Sequence, residues 1–442
     1  MSDQPLNQAI LAAGARIEEV AGVRMAVDYG DPSGEYAAVR SGAALYAASD
    51  RGLIEVRGKD RAAWLHNLTT NAVKTLGPHE GNYAFALNVK GRVLFDLNVL
   101  ALPDAFWLDI DRRFIARALA HFERYIITED VQCQDRSGEF ARIALCGPKA
   151  VDIVEALGVT QAGTMPALST MPFAWPRGAG ILPALSPQPG RAGILPASSP
   201  QPGRAGILPA STPPGEQESQ EGSSTPPALP ASLLVRHDFA GVFGVEFYLP
   251  TGAAAAFWNY LLETGRPMGL RPAGWHAVNT LRIEAGIPWN GHDIDEDVLP
   301  AETGQAERAV SYVKGCYLGQ EVVERMRSRG VVANKLVGLR LGGQGVDDLL
   351  ASVAAGPGLR REPGAGHSPS EAPATTLPVP RPALKAGETE VGRVTSICHS
   401  PALNAWIALG YVRLSYAAPA TRLTLAGDPP VEAEVVPLPF RQ

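Results

Sequence analysis

The hexapeptide Ala-Gly-Ile-Leu-Pro-Ala occurs at 179–184, again at 192–197 and again at 205–210, a strict 13-residue period. Proline and glycine return in it too often for helix or sheet. Three copies of so short a unit bury little, and the stretch from about Met171 to Ser232 reads as a disordered, extended insertion. A second Gly/Pro-rich stretch, about Gly342 to Gly387, reads the same way. The core has to come from the remaining sequence, which at 442 residues in all is still ample for two or three domains.

Three folded blocks remain, expected at 1–100, 101–332 and 333–442. In the first, Gly52 to Gly58 alternates like a half-buried strand. Lys59 to Leu68 carries apolar residues at helical spacing. Tyr83–Asn88 and Val93–Leu100 flank Lys90-Gly91-Arg92 as a hairpin. The second block has strands at 106–110, 141–146, 233–237 and 242–249, with helices at 112–125, after Gly147-Pro148 and at 253–262. That alternation predicts a ferredoxin-like α+β unit. The third block is strand-rich at 335–341, 390–397, 406–412 and 421–425, which predicts a small β-barrel.

A net charge of −6 argues against a nucleic-acid-binding surface. The four cysteines, Cys133, Cys146, Cys316 and Cys398, lie far apart with no C-x-x-C pair, so neither a disulfide framework nor a metal-ligating pattern is expected. The first residues lack a basic region followed by an apolar core, and no apolar run is long enough to span a bilayer. The expectation is a soluble cytoplasmic protein with no membrane partner.

Two groups of residues point to chemistry. Lys314-Gly315-Cys316-Tyr317-Leu318-Gly319-Gln320-Glu321 sets a thiol between a lysine and the start of a helix-like run, and both features favour thiolate. A lone cysteine is more often a small buried hydrophobe; its company raises Cys316 to a candidate reactive group. The second group is carboxylates within strands, Asp96 in Val93-Leu94-Phe95-Asp96-Leu97 and Glu246 after the Gly241–Gly244 turn. Burying an unpaired carboxylate is costly, so each either points outward, pairs with an arginine, or serves a ligand with N–H donors and an amine centre.

The run at 314–321 resembles the signature of the YgfZ-type folate-binding proteins, within the superfamily of the glycine-cleavage T-protein, a tetrahydrofolate-dependent aminomethyltransferase. Gly58–Asn71 resembles G-x-D-A-x-x-F-L-x-x-L-x-T-N-D, and Asn88–Asp96 resembles N-x-x-G-x-x-x-D-D. Arg282–Gly286 resembles R-L-E-A-G, while Gly392–Ser396 and Ile407–Val412 resemble G-x-V-T-S and I-A-L-G-Y-V. The resemblance implies a three-lobed ring with a central folate channel, a ferredoxin-like middle domain and a C-terminal β-barrel. It implies tetrahydrofolate or a one-carbon derivative as cofactor, bound by Asp96, Glu246, Arg282 and Tyr83, with Glu246 matching the glutamate that holds the pterin ring. Where the transferase has Gly-Glu-Asp-Gly this chain has Gly241-Val242-Phe243-Gly244; where it has two aspartates this chain has Phe95-Asp96; and where it has an arginine, Val278.

The functional expectation is a tetrahydrofolate-binding accessory protein that supports assembly or repair of iron–sulfur clusters in client proteins. Cys316 acts there by thiolate exchange or transient ligation, assisted by Lys314. The alternative is a tetrahydrofolate-dependent aminomethyltransferase in which Asp96 positions the folate amine.

Overall fold

The structure is a computed structural model and describes residues 5–175, 232–330, 332–342, 346, 381–425 and 430–440. The 13-residue repeat and most of the second Gly/Pro-rich stretch lie outside these residues.

The first sheet has five strands in the order Gly81–Leu87, Val93–Ala101, Phe106–Asp111, Arg51–Arg57, Gln132–Asp135, every neighbouring pair antiparallel. With helices Arg61–Leu68 and Ile115–Glu123 it forms a β-α-β-β-α-β unit, extended at one edge by Gly81–Leu87. Strand period explains its two faces. Phe95, Leu97 and Val99 pack against Trp64, Leu65 and Phe122 from the helices. The alternate residues Asp96 and Asn98 turn the other way. The boundary expected at residue 100 falls inside this sheet: Leu102 N donates to Ala105 O at 2.8 Å and turns Val93–Ala101 directly into Phe106–Asp111. The strand and helix at 106–125 therefore complete the first unit rather than open the second.

The second sheet has six strands in the order Thr170–Pro172, Leu233–Arg236, Gly244–Pro250, Phe140–Cys146, Ala43–Ala47, Leu270–Pro272, with only the last pair parallel. Helices Pro32–Ser41 and Trp275–Glu284 cover one face around Val39, Tyr46 and Leu281. The first insertion was expected from about Met171, but Met171 pairs with Leu234 and Pro172 with Leu233, and Phe173 is buried against Phe247 and Phe257. Sheet pairing and an aromatic anchor fix these flanks despite their composition.

The expected C-terminal barrel is present and closed, in the order Asn334–Gly342, Ala405–Arg413, Thr389–Ser400, Ala383–Ala386, Arg422–Leu425, Val431–Val436. Ala383–Ala386, expected within the second insertion, is a barrel strand, because its edges pair with Thr389–Ser400 on one side and Arg422–Leu425 on the other. The fold class is the α+β architecture with a C-terminal barrel that the sequence predicts. No helix of the described residues is long and apolar enough to cross a membrane.

Candidate functional site

Polar faces of the two large sheets meet around a cavity of about 770 Å³, part of it open to solvent. Strand Val93–Ala101 sends in Asp96, Phe140–Cys146 sends in Arg142, and Gly244–Pro250 sends in Glu246. Tyr248 pairs with Arg142 and Glu246 with Ala144, so Arg142 and Glu246 are diagonal neighbours on one face. The turn before Glu246 is built by Gly241, at φ +73°, where a Cβ would meet the Ala285 Cβ at 2.3 Å. Gly241 thus brings that turn against the end of helix Trp275–Glu284.

The charges form one buried network. Arg142 binds Asp109 through Nη1 and Glu246 through Nη2, so one guanidinium ties the two sheets together. Arg51 Nε lies 3.0 Å from Asp109 Oδ1, and Asn98 Nδ2 donates to Asp109 Oδ2 at 2.8 Å. Burial raises the Asp109 carboxyl, but Arg142 and Arg51 outweigh it and hold the group at about 2. Burial likewise opposes ionisation of Glu246, and Arg142 with His237, 3.2 Å from Oε1, keeps its carboxyl below the usual range. Asp96 differs. Tyr83 Oη donates to its Oδ2 at 2.9 Å, but the nearest arginine nitrogen is Arg51 Nη1 at 3.9 Å, and burial pushes its carboxyl up.

Asp109, His237 and Glu246 place ligand atoms within 4.8 Å of one another, as a metal site would. The Arg142 guanidinium already binds both carboxylates, so the positive charge a cation would bring is supplied by the chain.

Four polar atoms of cavity-lining residues are buried with no hydrogen-bond partner: Asp96 Oδ1, Glu246 Oε2, Arg142 Nε and Asn290 Nδ2. Four such atoms gathered around one cavity point to a ligand that completes them. The walls are aromatic, with Trp275 and Trp289 at a centroid distance of 4.5 Å and Phe239 beside Tyr46.

Of the residues singled out in the sequence, Tyr83, Asp96, Glu246 and Arg282 line this one cavity. Arg282 has most of its donors committed elsewhere, to Asn279, Ile287, Asp293 and Ser396, and it clamps helix Trp275–Glu284 to the barrel. Cys316 and Lys314 do not line the cavity. Cys316 is exposed. The Lys314 ammonium donates to the carbonyls of His66, Thr69 and Asn71, and burial lowers it to about 7. Its bonds go to the 66–71 segment; it anchors the loop that carries the thiol. Sequence reasoning missed Arg142, Asp109 and Asn290. The first two carried the same signal as Asp96, a charge inside an apolar strand (Phe-Ala-Arg-Ile-Ala and Trp-Leu-Asp-Ile-Asp).

Two packed α+β sheets, a closed C-terminal barrel and an acid-floored aromatic cavity define a T-protein-like fold. A model of the GCVT N-terminal domain matches residues 6–179 and 228–314, and one of the glycine cleavage T-protein C-terminal barrel domain matches 373–441. The chain belongs to the glycine-cleavage T-protein family. It is 29% identical over 439 residues to an aminomethyltransferase of Rubrobacter xylanophilus, covering 99% of this chain and 93% of that protein. It is 25% identical over 438 residues to an aminomethyltransferase of Alkaliphilus oremlandii, covering 99% and 96%. The crystal structure of glycine cleavage system aminomethyltransferase T from Bartonella henselae superposes with a TM-score of 0.70 at 20% identity, covering 99% of this chain and 97% of that one, a likeness of fold.

Proposed function

We propose that this chain binds tetrahydrofolate, or a one-carbon derivative of it, in the cavity and acts as a folate-dependent aminomethyltransferase. The observation that carries the reading is the pair of unspent acceptors, Asp96 Oδ1 and Glu246 Oε2, both buried in one aromatic-walled cavity. They suit a pterin, which presents ring and amino N–H donors on a flat edge. The names of the relatives support the transfer chemistry.

Tetrahydrofolate supplies the amines that accept a one-carbon unit. Glu246, kept ionised by Arg142 and His237, accepts N–H bonds, and such charge-assisted bonds are the strong ones. Asp96, with Oδ2 fixed by Tyr83, leaves Oδ1 to hold or receive a proton at a raised affinity. Trp275 and Trp289 exclude water from that side.

The second reading is the YgfZ-type accessory role in iron–sulfur cluster assembly or repair, with client or assembly proteins as partners and Cys316 as the working thiol. It is favoured by the exposure of Cys316 on a loop outside the cavity, anchored by Lys314. One set of variants separates the two. Tetrahydrofolate titration and methylene-tetrahydrofolate formation from an aminomethyl donor are followed for wild type, Asp96→Asn and Cys316→Ala. Product formed by wild type and by Cys316→Ala, but not by Asp96→Asn, supports the transferase. Tight binding without product, together with loss of iron–sulfur enzyme activity in cells carrying Cys316→Ala, supports the accessory role in its place.

A further inference from the structure

Asn290 has no part in the reading above. It is 2% exposed, it lines the cavity, and its Nδ2 has no partner. Its backbone is firmly held. Arg113 Nη2 donates to Asn290 O at 2.5 Å, Gly291 N donates to Ile294 O at 2.7 Å, and Asp293 N donates to Trp289 O at 2.7 Å. Gly291, at φ +74°, carries the turn beneath the Phe114 ring, which a Cβ would approach to 2.7 Å. A rigid turn therefore presents a primary amide with an unused N–H, and a buried donor left unmade is destabilising until something accepts from it.

The other unpartnered atoms around the cavity are two carboxylate oxygens and Arg142 Nε. The Arg142 guanidinium is fixed between Asp109 and Glu246, which sets its orientation without reference to a ligand. Asn290 is thus the neutral donor free to read a ligand acceptor. A pterin carries on its pyrimidine rim N–H donors at N3 and the 2-amino group, and acceptors at N1 and the 4-oxo oxygen. Of these acceptors, only the 4-oxo oxygen is replaced by a donor in a 4-amino ring. The donors answer the carboxylates; the carbonyl calls for an N–H.

We propose that Asn290 is a specificity-determining residue: its Nδ2 donates to the 4-oxo oxygen of a bound pterin, so that the cavity discriminates a 4-oxo ring from a 4-amino ring. The assignment rests on the folate reading and adds to it which ring substituent is read.

The test is equilibrium binding of tetrahydrofolate and of its 4-amino-4-deoxy analogue to wild type, Asn290→Ala and Asn290→Asp, with thermal melts run alongside. The readout is the change in the affinity ratio, because protonation of a 4-amino ring strengthens its bond to any carboxylate whatever Asn290 does. Removing the donor shifts the ratio about tenfold toward the 4-amino ring. Replacing it with an acceptor in Asn290→Asp shifts it further, with the 4-amino compound binding tighter than to Asn290→Ala. If Asn290→Asp does not fold, the ratio in Asn290→Ala decides. Tetrahydrofolate bound by every folded protein with an unchanged ratio overturns the assignment alone. Failure of wild type to bind either compound overturns the folate reading, and the assignment with it.

Discussion

Arg142 Nη2 binds Glu246 Oε1 across the cavity floor, and the other guanidinium nitrogen of the same arginine binds Asp109 on the facing sheet. Both acids are almost fully buried, at 2% and 1% exposure. Truncating one partner of a buried pair strands the other charge, which typically destabilises by about 3–5 kcal/mol. Arg142→Met should therefore melt at least several degrees lower than wild type, as scanning calorimetry would read. Arg142→Lys restores charge but not the two-armed bridge, and should recover only part of the loss.

The same network sets the acid limit of stability. Glu246 and Asp109 have folded-state carboxyls held below their ordinary values of 4.5 and 3.8. Each contributes stability that is fully present above its unfolded value and is lost as pH falls through the folded one. For Asp109 that loss extends down to about pH 2. The contribution of these two carboxyls should be complete above about pH 5 and be lost progressively below it. Arg142→Met removes the cation that holds both carboxyls down, so its acid loss should be shallower, and coincident curves for the two proteins would remove Arg142 as the cause.

Asp96 is the acid that the network leaves least compensated. Asp96→Asn keeps the Tyr83 bond in place but removes the ionisable oxygen. Turnover should fall about 10²- to 10⁴-fold, the range for a lost general acid or base, a larger effect than the weakening of tetrahydrofolate binding that loss of the Oδ1 acceptor brings. Tyr83→Phe should shift the acidic limb of the pH–rate profile upward. The Tyr83 bond favours the ionised form, so its loss raises the Asp96 carboxyl further.

How much of this was legible in the sequence depends on whether the signal was local. The hairpin at 81–101 was readable because strand alternation and Lys90-Gly91-Arg92 are adjacent in the chain. Gly91, at φ +72°, builds that turn. Asp96 and Glu246 were readable because a carboxylate in an apolar strand is conspicuous. Arg142 was not, since what makes it important is a diagonal strand neighbour a hundred residues away and a partner in another sheet. Ala383–Ala386 hid inside Pro/Gly-rich sequence because its strand character comes entirely from barrel neighbours. Lys314 was readable as important from its place beside Cys316, but its partners are three carbonyls that carry no sequence signal at all.

Lys314 gives a further prediction. Its three acceptors lie at His66, Thr69 and Asn71, and Asn71 Nδ2 in turn donates to the carbonyls of Tyr83 and Arg308, both of which line the cavity. Lys314→Met leaves three carbonyls without that donor. It should destabilise the chain by about 1–3 kcal/mol and speed amide exchange in 66–71 and 311–318 ahead of the barrel. Uniform exchange across the protein would show that the lysine has no local anchoring role.

The flanks of the first insertion yield the last prediction. Thr170 pairs with Val235, Met171 with Leu234 and Pro172 with Leu233, and Phe173 N donates to Ser232 O at 3.0 Å. The chain therefore leaves and re-enters the sheet at neighbouring strand ends, where a tight turn can join them. Replacing residues 176–231 with a four-residue Asn/Gly turn removes the repeat and keeps Phe173 on Phe247 and Phe257. Shortening the closed loop lowers its entropic cost by about 2 kcal/mol, so the melting temperature should hold or rise. Folate affinity should be unchanged, because the cavity takes its lining from residues 46–142 and 237–308. A fall in melting temperature with loss of folate binding would mean that the repeat contributes to the folded sheet. A stable, folate-binding deletion that loses activity only in cells would assign the repeat a partner instead.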